Sequence, residues 1–171
     1  MANMEYLKNK PIAVLGAGGV GKACAADCAM AGNTVRICDL PPFSEKTLWG
    51  IKEQGIRLFG NQDSLYGFER SGVGHMSMVT EDVAECVKDA GIIIVATTAT
   101  GHKSFFEKLI PALEDGMVIH IIPDNYGSLL LRKMMREAGC TKKVIVGGWS
   151  SAPYGSRVSM QGGLTLPKTQ V

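Results

Sequence analysis

Three glycines and one acid carry the clearest chemistry in this chain. Gly16, Gly18 and Gly21 follow the apolar run Ile12-Ala13-Val14-Leu15 at the spacing Gly-x-Gly-x-x-Gly, and a helix-forming segment begins at once. At that spacing the first glycine permits a tight turn out of a strand. The second lets backbone approach a pyrophosphate, and the third lets the helix pack closely on the strand. The free N–H groups and partial positive charge of the helix start suit a phosphate pair. Asp39 closes a second apolar run that ends in Cys38, where an acid can accept from the hydroxyls of an adenosine ribose. Gly16, Ala17, Gly18, Gly19, Val20, Gly21, Asp39 and Leu40 are therefore candidate residues for a dinucleotide. The pair Asp39-Leu40 favours NAD, because a 2′-phosphate there would meet a carboxylate and no cation. NADP stays open through Arg36 and Lys46, the cations that could reverse that preference.

These residues need a strand, a turn and a helix to carry them, and the rest of the chain repeats that unit. Strands are expected over 11–15, 34–38, 76–79, 92–96, 117–122 and 143–146, with helices over 19–31, 44–54, 80–88, 102–113 and 128–138. Gly32-Asn33 stops the first helix. Thr80 is expected to cap a later one, and Pro111 to split another. Residues 56–59 and 75–79 flank a polar, Gly-rich stretch and read as a small antiparallel excursion. The run Ile92-Ile93-Ile94-Val95-Ala96 is apolar on consecutive positions, as in a strand buried on both faces.

Six strands separated by helices specify an α/β fold, a doubly wound Rossmann-type, mostly parallel sheet with helices on both faces. Its ligand cleft lies at the carboxyl ends of strands one, two, four and five. That edge adds Thr97, Thr98, Ala99, His102 and Pro123 to the cofactor-binding candidates, with Thr100 close by. His102 either caps or decorates its helix or touches the ligand, and Asp124 and Asn125 either cap a turn or face the nicotinamide end. His75 and His120 read as structural. The expected division is a dinucleotide-binding domain over 1–148 and a junction segment over 149–171, loop-like at first and then strand-like around Gly162-Gly163.

Composition narrows the partners. With 171 residues and 46% apolar content, one domain with an ample core is the natural count. The net charge is +2 and no basic run is longer than Lys142-Lys143, so nucleic acid is not an expected partner. The apolar runs are too short for a bilayer, and glycines break the only signal-like stretch, so no membrane partner is expected. Cys24, Cys28, Cys38, Cys86 and Cys140 form no Cys-x-x-Cys pair and read as thiols of a reducing, cytoplasmic protein without a metal site.

At this point the chain resembles the nucleotide-binding domain of the opine dehydrogenases of the octopine/nopaline type, within the wider group of glycerol-3-phosphate dehydrogenase and ketopantoate reductase. The resemblance rests on Gly16 to Arg36, on Val35-Arg36-Ile37-Cys38-Asp39-Leu40-Pro41 with Phe43, and on Thr80-Glu81-Asp82-Val83 with Asp89-Ala90-Gly91. It continues through His102-Lys103-Ser104-Phe105, Gly127-Ser128-Leu129, and Pro153-Tyr154 with Arg157. It differs from the family pattern at Ile122, Ala152, Gly155 and Ser156. The resemblance implies NAD(P)H-dependent reductive condensation of an amino acid with a 2-oxo acid. It also implies that the acid/base residues sit in a second domain, beyond residue 171, so no catalytic residue is assigned here and the chain alone is expected to be inactive. An open cleft with apolar surface near 149–166 makes a homodimer a further expectation. The competing readings are a non-catalytic dinucleotide-sensing module, another dehydrogenase of the wider group, and a methyltransferase, against which the Gly21 spacing argues.

Overall fold

β1 (Ile12–Leu15) enters a glycine turn, α1 (Gly19–Met30) follows, and the chain returns through β2 (Val35–Cys38). The computed structural model describes residues 7, 9–59, 71–153, 155–161 and 164–170, with side chains through 158. After β2 the expected helix over 44–54 is two single turns, α2 (Ser44–Thr47) and α3 (Ile51–Gln54), because Gly50 at φ +71° breaks the helix between them. β3 (Ile56–Phe59) pairs antiparallel with β4 (Gly72–Gly74), an antiparallel excursion as expected, but its second strand lies at the end of the Gly-rich stretch and not within 75–79. The third parallel strand, β5 (Met78–Thr80), then pairs with β2.

α4 (Val83–Val87) is capped by Asp82, not by Thr80. The Asp82 Oδ1 accepts from Ala84 N at 2.8 Å and Glu85 N at 3.2 Å. Thr80 accepts from the Asp82 N–H at 3.1 Å and so presents the cap. β6 (Ile92–Val95) leads into α5 (Ala99–Leu109), which starts before 102 because the extended residue at its N-cap is Thr98. Pro111 sits in the 3-10 turn Ile110–Ala112 that ends this helix. β7 (Val118–Ile121), α6 (Gly127–Glu137) and β8 (Ile145–Gly148) complete the alternation.

The main sheet has the order β5-β2-β1-β6-β7-β8, and every neighbouring pair is parallel. This is the doubly wound fold expected from the sequence. Winding reverses between β1 and β6, so the loops leaving those strands diverge and open a crevice at their carboxyl ends. Alternation along each strand fills both faces. Leu15, Ile93, Val95, Ile119 and Ile121 pack with Phe106, Leu109 and Leu131 on the side of α4, α5 and α6. Ile12, Val14 and Ile94 pack with Ala23, Ala25, Ala26, Ile51 and Ile56 on the side of α1.

The small residues of α1 let a second sheet approach. A Cβ on Gly74 of β4 would stand 2.7 Å from Ala26 Cα. That sheet has the order β4-β3-β10-β9, where β9 (Arg157–Gln161) and β10 (Leu164–Gln170) come from the terminal segment. β10 runs parallel to β3 and antiparallel to β9. Gly162-Gly163, the expected turn between them, lies outside the described residues.

Phe106 is fully buried at the centre of the α5 face. Phe106→Ala should lower unfolding stability by about 3–5 kcal/mol. Chemical denaturation followed by circular dichroism measures it, and an unchanged midpoint would show that this face is not the packed core described.

Candidate functional site

The turn from β1 to α1 is free of side chains for different reasons at different positions. Gly16 has φ +101°, and a Cβ on it would stand 2.5 Å from the carbonyl oxygen of Ala96 in the loop after β6. A Cβ on Gly21 would run into the Gly16 carbonyl oxygen, so that glycine sets how closely α1 sits on the turn. Gly19 lies under the terminal segment, where a Cβ would be 2.9 Å from Ser156 O. Gly18 has none of these constraints. Its backbone, at φ −72° and ψ −171°, suits any residue, and a Cβ there would meet nothing within 4 Å.

Gly18 opens onto a cavity of about 740 Å³ at the crevice between β1 and β6. Of the residues singled out from sequence, Gly16, Gly18, Gly19, Val20, Asp39, Leu40, Thr97, Thr98, Ala99 and Pro123 line it. Ala17, Gly21 and His102 are not among its lining residues. Ala17 is buried, and its N–H donates to Asp39 Oδ2 at 3.1 Å. His102 is buried beneath the loop after β7. Its ring stacks on Phe106 at 5.4 Å between centroids and packs against Gly127, where a Cβ would be 2.7 Å from the ring. Burial lowers its pKa, opposed by the nearby Asp124 charge, so the imidazole is held toward its neutral form.

Asp124 caps the start of α6. It accepts from Ser128 N at 2.7 Å and Ser128 Oγ at 2.9 Å, while Asn125 lines the cavity. His120 has a structural partner, since its Nδ1 accepts from Trp149 Nε1 at 3.1 Å. Tyr154 lies outside the described residues.

The sequence reading missed the wall formed by Pro41, Pro42, Phe43 and Thr47. Its signal was the position of these residues directly after Asp39. Phe43 is 68% exposed as it faces the cavity, unusual for a large apolar side chain. Arg36 is unavailable to this wall. Its guanidinium donates to the Lys88 carbonyl at 2.6 Å and the Cys86 carbonyl at 3.3 Å, at the end of α4. Lys46 is exposed on α2.

The Cys24 and Cys38 thiols are held protonated. Burial raises the Cys24 pKa to about 12, and a hydrogen bond with Cys86 that favours the protonated thiol, together with burial, raises that of Cys38. Among the described residues no three His, Cys, Asp or Glu side chains gather as metal ligands, and no helix is long and apolar enough to cross a membrane.

The likeness read from the sequence holds in comparison with known proteins. The opine dehydrogenase of Arthrobacter sp. (strain 1C) is 29% identical over 163 residues, which span 94% of this chain and 42% of that enzyme. Octopine dehydrogenase, solved with NADH and L-arginine, superposes with a TM-score of 0.79 at 17% identity, over 95% of this chain and 39% of that one. A PanE/ApbA-family ketopantoate reductase from Ralstonia eutropha JMP134 superposes with a TM-score of 0.63 at 17% identity, over 94% of this chain and 45% of that one. No family model matches the chain. The chain thus spans less than half the length of each of these three proteins.

One buried charge was not anticipated. Lys22, in the first turn of α1, is only 4% exposed, and burial lowers its pKa from 10.5 to about 8 despite the opposing pull of Asp39. Between those values the unfolded chain binds a proton that the folded chain has released, so this lysine makes stability rise as pH goes from about 8 to 10.5. Lys22→Met should therefore be more stable than the parent at pH 7, by up to ~3 kcal/mol, with the gap closing by pH 10.5. Paired denaturation curves across this range test it, and a constant difference would contradict the buried-ammonium account.

Proposed function

We propose that this chain is the cofactor-binding part of an NAD(P)-dependent oxidoreductase of the opine dehydrogenase type, with NADH as its preferred dinucleotide. The observation that carries the reading is Gly18. Neither its backbone nor its own packing asks for glycine, yet it faces an apolar-walled cleft at the start of a twelve-residue helix. Room for a pyrophosphate against the α1 amide groups explains the missing side chain. In the same reading Gly16, Gly19 and Val20 bring backbone to the phosphates, and Asp39 accepts from the adenosine ribose. Phe43 and Pro42 cover the adenine, while Thr97, Thr98, Ala99 and Pro123 flank the path toward the nicotinamide.

Bound there, the dinucleotide supplies a hydride. In opine formation an amine and a 2-oxo acid lose water to give an imine. Hydride and a proton then convert it to a secondary amine, leaving the oxidised dinucleotide. The chain's own part is to bind and orient, because the proton donor belongs to a facing wall. His102 is buried away from the cleft and Asp124 is engaged in capping. We infer that the chain alone binds cofactor without turnover, works in the cytoplasm and forms a homodimer through its uncovered apolar surface. Ketopantoate reductase likeness supplies the second reading, in which the hydride goes to a ketone.

Gly18→Val should abolish NADH binding, followed by fluorescence titration, and leave the circular dichroism spectrum unchanged. Undiminished affinity in the folded variant would sink the phosphate assignment. Preference should be set at the ribose, since Arg36 is committed elsewhere. Asp39→Ser combined with Leu40→Arg should narrow or invert the ratio of NADH to NADPH affinity, and a parent chain that prefers NADPH would refute the assignment. NADH oxidation should be absent when the isolated chain is given an amino acid and pyruvate. Joined to its relatives' second domain it should appear with that pair rather than with a ketone alone, and turnover by the isolated chain would place catalytic groups within it.

A further inference from the structure

The Asp39 carboxylate is more heavily engaged than a simple ribose acceptor requires. Its Oδ2 accepts from Ala17 N at 3.1 Å and from Thr47 Oγ1 at 2.6 Å, and its Oδ1 accepts from Leu40 N at 2.9 Å. A carboxylate has about four acceptor positions, so the protein fills most of them. The Thr47 contact has the length of a hydroxyl bonded to a charged oxygen. That hydroxyl also lies 3.0 Å from the Phe43 carbonyl, but it carries a single proton, and the carboxylate is both nearer and charged. Thr47 lines the cleft together with Asp39 and Leu40. Its helical turn, α2, is tied down at the other end by the hydrogen bond from Ser44 Oγ to Glu81 Oε1.

Resting on the cofactor reading above, we propose that Thr47 is a positioning residue that sets the choice between NADH and NADPH. With Oδ2 fixed between the glycine turn and α2, the carboxylate cannot swing aside. The acceptor it keeps for the cleft suits a 2′-hydroxyl, which has a proton to donate. A 2′-phosphate brings only acceptor oxygens and negative charge, and it can be relieved only if Asp39 turns away. The Thr47 bond blocks that movement, and its side chain adds an uncharged wall where a phosphate would need a cation.

The test is a pair of dissociation constants, for NADH and for NADPH, measured by fluorescence titration on the parent, Thr47→Val and Thr47→Ser. Thr47→Val keeps the shape and removes the hydroxyl. It should weaken NADH about tenfold, the size of one hydrogen bond to a charged group. NADPH should be unchanged or bind more tightly, so that the preference ratio falls by at least that factor. Thr47→Ser should restore the parent ratio. Equal weakening of both dinucleotides in Thr47→Val would mean that Thr47 only supports the fold, and an unchanged ratio would mean that it does not hold Asp39 for the ligand. Either result overturns the proposal. If Thr47→Val does not fold, Thr47→Ala against Thr47→Ser gives the same comparison. A parent that binds neither dinucleotide brings down the cofactor reading itself. A parent that binds NADH and loses it with Gly18→Val, yet keeps its preference in Thr47→Val, brings down this proposal alone.

Discussion

The close seat of α1 on the turn that precedes it is the constraint from which the rest of this structure follows. Gly21 has no room for a side chain against the Gly16 carbonyl, and Gly16 has none against Ala96. Only with both contacts made can the helix begin directly over the carboxyl ends of β1 and β6, where the winding of the sheet reverses. Asp39 then fastens the arrangement from the neighbouring strand by accepting from the Ala17 N–H within the turn. Close packing thereby becomes chemistry, since a helix start with free N–H groups is brought to the mouth of a crevice.

The electrostatics follow from this placement. A lysine in the first turn of α1 is driven into the protein, and its ammonium is disfavoured there. Asp39, by contrast, is surrounded by donors. The cation closest to Asp39 in sequence, Arg36, closes the end of α4 instead of facing the cleft. The part of the crevice beside Asp39 is bounded by one acid, two prolines, an exposed phenylalanine and a threonine, with no cation among its lining residues.

Much of this was legible in the sequence because its causes are local. A short run of consecutive β-branched residues such as Ile92 to Val95, preceded by Gly91, reads as a strand covered on both faces, and the glycine spacing fixes a strand, a turn and a helix together. What escaped depends on contacts between distant segments. Gly50 splits the helix after β2 through a left-handed backbone angle that its residue type allows but does not require. The pairing of β10 with β3 joins segments with no local signal in common. His102 stands one helical turn from the cleft edge, but the stacking on Phe106 and the gap left by Gly127 draw its ring inward. Thr47 reads as an ordinary helix residue until the fold brings it within 2.6 Å of Asp39.

The central claim is that the crevice above Gly18 is a dinucleotide site, and amide chemical shifts of isotope-labelled chain titrated with NADH test it most directly. The predicted result is saturable, one-to-one movement concentrated at Gly18, Gly19, Val20, Leu40, Thr98 and Ala99, with Phe106 and the residues of α6 unmoved. Saturation without movement at Gly18 to Val20, or movement centred on the edge strand β8, would contradict the claim.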